Sequence, residues 1–153
     1  MLNAPNYRGI SDILETWSTN GLADGLLVST LTPVEGANDE QLRLSARERI
    51  WIVNELLRLK PRFGSFLAMP EGQIRRLHPQ HTATLTPERC ETAQLVESYD
   101  AAGGRIKQCI LSKKANGQNC GCVVTTLSDS VNGSRLANLK DFVAFAARLS
   151  NLH

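Results

Sequence analysis

The first eighty residues carry two hydrophobic rhythms, one helical and one extended. Ile10, Ile13, Leu14 and Trp17 recur at i, i+3, i+4 and i+7, and Asn20-Gly21 supplies a stop, which predicts a first helix. Residues 25–32 form a short apolar run closed by Pro33, the pattern of a strand buried on both faces. A polar loop follows, with Gly36, Asn38 and Asp39 as turn formers. Ser45 and Glu48 then have the spacing of a capping box, in which serine oxygen and glutamate each satisfy an orphan amide. They open a second helix with Ile50, Val53, Leu56 and Leu57 on its core face and Pro61 as its stop. Residues 65–69 predict a second buried strand, followed by a short helix from Pro70 or Glu71 to Leu77. Helix, strand, helix, strand, helix indicates α/β units on a parallel sheet, with helices on one side and the two strands adjacent. Trp17 and Trp51 fall on apolar helix faces and are expected in the core.

The texture changes after His78-Pro79. Thr86-Pro87 suits the opening of a helical turn. Residues 95–99 and 105–111 predict two strands joined by Asp100-Ala101-Ala102-Gly103-Gly104, a hairpin signal. A last helix is expected over 134–149, with Leu139, Phe142, Val143 and Ala146 inward. The expected organisation is an α/β part over 1–82, a hairpin extension over 83–126 and a C-terminal helix over 127–153. Two buried strands cannot complete a sheet, so a partner or a longer protein is expected to supply the rest.

Composition adds little except exclusions. At 153 residues, with 42% hydrophobic and 21% charged residues, the chain has the make-up of a soluble globular protein with one core. A net charge of +2, with only Arg75-Arg76 and Lys113-Lys114 clustered, gives no footprint for nucleic acid. No stretch approaches the roughly 18 apolar residues of a membrane span, and residues 1–8 lack a signal core. The expectation is a cytoplasmic chain with no membrane partner, whose thiols stay reduced. Asn132-Gly133-Ser134 matches the glycosylation pattern, which without a secretion signal is chance. Ser-His-Asp arrangements, phosphate loops and dinucleotide fingerprints are absent from the sequence.

The chemistry on offer lies in four cysteines, spaced Cys90-x18-Cys109-x10-Cys120-x-Cys122. Soft thiolates in a reduced compartment suit an iron–sulfur cluster or tetrahedral zinc, although the paired C-x-x-C knuckles of a zinc ribbon are missing. The hairpin would bring Cys90 to Cys109, the turn at Gly117 to Cys122 would deliver Cys120, and Cys122 would either join them or enter the core. The plainer alternative is four small buried hydrophobes. His78-x2-His81 with Cys90 offers a second metal set, against the simpler reading of solvated histidines. Ser29, Thr30 and Thr32 end the first predicted strand, and Glu71 follows the second. Such a rim either faces a ligand or satisfies local backbone.

Taken together, residues 9–124 resemble the C-terminal part of radical S-adenosylmethionine proteins that carry a SPASM- or twitch-like auxiliary-cluster extension. The resemblance rests on the run from Gly25 to Pro33, the helix over 45–60, and Thr86-Pro87-Glu88-Arg89-Cys90. It continues through Ser98-Tyr99-Asp100, Gly104-Arg105, Cys109-Ile110-Leu111 and the fairly specific Cys120-Gly121-Cys122-Val123-Val124. It implies a fragment of a partial (β/α) barrel with parallel strands, then a cysteine-bearing hairpin. Ser29, Thr30 and Thr32 would face S-adenosylmethionine in a complete protein. Cys90, Cys109, Cys120 and Cys122 would hold an auxiliary 4Fe–4S cluster, with zinc as the alternative. Two departures stand out. The family's Cys-x3-Cys-x2-Cys loop is missing, so radical chemistry would require an N-terminal half encoded separately or lost. Gly117 also stands where relatives carry a further cysteine, so the cluster is either retained with an altered ligand set or lost. The rival is a non-enzymatic zinc-binding or interaction module.

Overall fold

The computed structural model describes residues 1–86, 89–90, 92–93, 97–99, 101–106, 109 and 114–124. Helices α1 (Ile10–Thr19), α2 (Ala46–Phe63), α3 (Glu71–Arg76) and α4 (Pro79–Thr82) dominate it. The longest, α2, begins at the capping box: Glu48 N–H donates to Ser45 Oγ, and Ser45 N–H donates to Glu48 Oε2 at 2.7 Å. It buries Arg49, Ile52, Val53, Leu56 and Leu59, whereas Ile50 is exposed. The inward stripe thus keeps Val53 and Leu56 of the expected face, with Leu57 packed beside the core, but takes Arg49 and Ile52 in place of Ile50. The helix also continues past Pro61 and stops at Gly64, whose φ of 51° lies where side chains are disfavoured. Proline there removes only one backbone bond near the helix end, a loss that the last turn tolerates.

The core joins Ile10 and Leu14 of α1, the inward face of α2, Ile74 of α3 with Leu77 just after it, and Leu2, Val28, Leu67 and Met69 from segments outside the helices. Trp51 packs against this core and meets Tyr7 edge-on at 5.3 Å. Trp17 does not: it is 41% exposed, contrary to expectation.

The parallel sheet expected of a partial (β/α) barrel does not form. Residues 25–32 and 65–69 are not strands: Ser65 and Phe66 lie in a turn, and the two runs touch at a single parallel bridge, Leu26 with Leu67. Leu26 N–H donates to Phe66 O, and Ala68 N–H donates to Leu26 O. The next rung of that ladder would need an N–H at residue 70, and Pro70 has none. The Val28 N–H meets the Met69 sulfur at 3.2 Å instead of a carbonyl. On its other side this run takes one parallel bridge from the N-terminus, Leu2 with Thr30.

The hairpin extension is likewise corrected. Among the described residues it reduces to β1 (Ser98–Tyr99) against β2 (Arg105–Ile106), two antiparallel residue pairs. The C-terminal helix expected over 134–149 lies outside the described residues. Among those described, no helix is long and apolar enough to cross a membrane.

Candidate functional site

Residues 114–124 return to the body and seat themselves on the segment 30–35. The approach is set by Glu35 N–H to Lys114 O and Asn116 N–H to Pro33 O, each 2.8 Å, around an antiparallel bridge of Val34 with Ala115. Asn116 then caps a single 3-10 turn, Gly117–Asn119, by accepting from the Gln118 N–H at 3.0 Å. Thr82 Oγ1 of α4 donates to Gln118 O at 2.9 Å. Gly117 rests against the Leu85 carbonyl so closely that a β-carbon would stand 2.6 Å from that oxygen.

Beyond it, backbone hydrogen bonds seat the Cys120–Val123 stretch, and the Val123 side chain packs against the core. Thr30 N–H donates to Gly121 O at 3.0 Å, and Gly121 N–H donates to Thr32 Oγ1 at 2.8 Å. Arg49 Nη2 donates to Cys120 O at 2.8 Å and to Leu77 O at 3.0 Å, and Gln73 Nε2 donates to Val123 O at 3.0 Å. Thr32 Oγ1 also approaches Cys120 Sγ at 3.9 Å, and Cys122 N–H points at the same sulfur from 3.4 Å. Any side chain at 121 would strike the Thr30 hydroxyl and carbonyl, so glycine is required there by space.

Two sets of residues singled out from sequence therefore meet: Thr30 and Thr32 from the rim, Cys120 and Cys122 from the tail. The Ser29 carbonyl is instead turned to the N-terminal segment, where it accepts from the Leu2 N–H at 2.7 Å. Glu71 is exposed and paired with Arg75 at 3.3 Å, away from this meeting. His78 caps α4 by accepting from the Gln80 N–H, and His81 lies 6.4 Å from it, ring to ring.

Cys90 and Cys109 are half-buried like the other two, and none of the four is in a disulfide. Among the described residues, no group of three or more His, Cys, Asp or Glu side chains is placed to hold a metal ion. The four cysteines expected to hold a cluster, and the set of His78, His81 and Cys90, are thus not gathered into such a group among the described residues.

Arg49 and Gln73 were not expected. Arg49 is 2% exposed and Gln73 is 0% exposed. Burial lowers the Arg49 guanidinium from its ordinary value, and the Cys120 sulfur acts in the opposite sense. No carboxylate pairs with Arg49 among the described residues, and its Nε and Nη1 find no acceptor there. A sequence signal existed: Arg49, Ile52, Val53 and Leu56 share one helical stripe, which places a cation on a buried face.

Compared with known proteins, the chain matches no family model, no curated protein and no solved structure.

Proposed function

We propose that the chain corresponds to the non-catalytic C-terminal part of a radical S-adenosylmethionine-like protein, in which the cysteine tail acts as a structural seal. The sequence resemblance over residues 9–124 supports the family. One observation supports the seal: the Cys120-Gly121-Cys122 turn engages Thr30, Thr32 and Arg49 through backbone amides and carbonyls, while among the described residues its thiols join no three-ligand group. Radical initiation would belong to a separate N-terminal half, because these 153 residues contain no Cys-x3-Cys-x2-Cys loop.

Anaerobic reconstitution with iron and sulfide tests this reading. The expected product is colourless, and with S-adenosylmethionine and a reductant it yields no 5′-deoxyadenosine above a no-protein control. A stable brown protein with about four irons per chain would restore the auxiliary cluster. Stoichiometric zinc after purification would favour the rival interaction module instead.

A further inference from the structure

The Cys120–Val123 turn behaves like a ligand. It offers three carbonyl oxygens, of Cys120, Gly121 and Val123, to three donors: Arg49 Nη2, the Thr30 N–H and Gln73 Nε2. All three donor residues are at least nine-tenths buried. The match is incomplete, since Arg49 Nε and Nη1 and Thr30 Oγ1 stay without a partner among the described residues. Neutral carbonyls are weak company for a buried guanidinium, which is best matched by a hydrogen-bonded anion. Nε and Nη2 form the side-on fork of an arginine, the edge that grips a carboxylate or phosphate with two parallel bonds. In this fold Nε is already unmatched, and Nη2 is occupied by the Cys120 and Leu77 carbonyls.

We propose that Arg49, Thr30 and Gln73 form an oxyanion-binding site, and that the Cys120–Val123 turn fills it until a carboxylate or phosphate group displaces it. Within the turn Gly121 is buried and Val123 packs against the core, whereas Cys120 and Cys122 are half-buried and Val124 beyond it is 43% exposed. Departure would expose both thiols. The inference stands on these contacts alone and does not depend on the family reading.

The test is thiol labelling of the full chain, resolved by peptide mass spectrometry, while inorganic phosphate or acetate is titrated against chloride at constant ionic strength. The expected result is a saturable, several-fold rise in labelling of Cys120 and Cys122, with Cys90 and Cys109 unchanged. Phosphate alone, acetate alone or both producing it identifies the group recognised. Gln73→Leu raises the basal rate, and both it and Arg49→Lys shift the anion midpoint about tenfold, the effect of one lost charge-assisted contact. Should Arg49→Lys fail to fold by circular dichroism, Gln73→Leu decides alone. A response matched by chloride, no response to either anion, or an unshifted midpoint in Gln73→Leu would overturn the proposal.

Discussion

Arg49 near the start of α2 and Cys120 in the returning turn stand 71 positions apart, and the guanidinium of one donates to the carbonyl of the other at 2.8 Å. The same nitrogen holds Leu77 O. One buried side chain therefore ties the head of α2, the end of the α3 region and the tail together. Arg49→Met removes the charge but leaves two carbonyls without their donor, at roughly 1–3 kcal/mol for each group that stays buried. The expected loss is about 2 kcal/mol or more in urea unfolding, with Arg49→Lys recovering part of it. A methionine variant as stable as the parent would mean that the arginine only fills space.

Gly121 is pressed on Thr30 so tightly that a methyl group there would overlap both its hydroxyl and its carbonyl. Gly121→Ala is expected to lift the turn off the 30–32 segment, at the roughly 1–3 kcal/mol typical of overpacking. Labelling of Cys120 and Cys122 should quicken in the variant even without added anion. Unchanged labelling would show that the turn can shift without opening.

The capping box at the start of α2 gives a prediction about pH. The Ser45 N–H, followed by the Ser45 hydroxyl, holds the Glu48 carboxyl below its ordinary value. A carboxyl lowered on folding stabilises the fold above its unfolded pKa, and the gain fades as pH falls through the folded value. Ser45→Ala should cost about 1 kcal/mol at neutral pH, and the gap between variant and parent should narrow below about pH 4. Thermal unfolding of both proteins across that range checks the sign; a gap that widens in acid would refute it.

Local signals in this sequence were legible and long-range ones were not. The capping box and the helix that it opens depend on residues three or four apart, and both are present. The face of that helix was legible at Val53, Leu56 and Leu57, whereas Arg49, a cation in line with Ile52, Val53 and Leu56, was not. The parallel ladder failed at Pro70, a single missing amide that an apolar run does not reveal. For the cysteines, spacing announces a chemistry but not a convergence, which depends on long-range packing that spacing does not carry. What spacing did mark was the glycine-rich return, whose two tight glycines, Gly117 and Gly121, are where the tail touches the body.

Gly117 is the sharper case, because the proposed family reading would put a cysteine at that point. Here its α-carbon faces Leu85 so directly that a β-carbon would stand 2.6 Å from the Leu85 carbonyl oxygen and 3.3 Å from the Thr86 α-carbon. Both neighbours are backbone, which cannot swing aside as a flexible side chain would. Gly117→Cys therefore should not rebuild a ligand set. It should cost about 1–3 kcal/mol, and Gly117→Ala should cost nearly as much, because the β-carbon and not the sulfur meets the obstacle. Denaturant unfolding of the two variants separates the possibilities, with iron content after anaerobic reconstitution as the second readout. A cysteine variant as stable as the parent that also turned brown would mean that the 117–122 turn can still adopt a cluster-binding form, and that one substitution had silenced it.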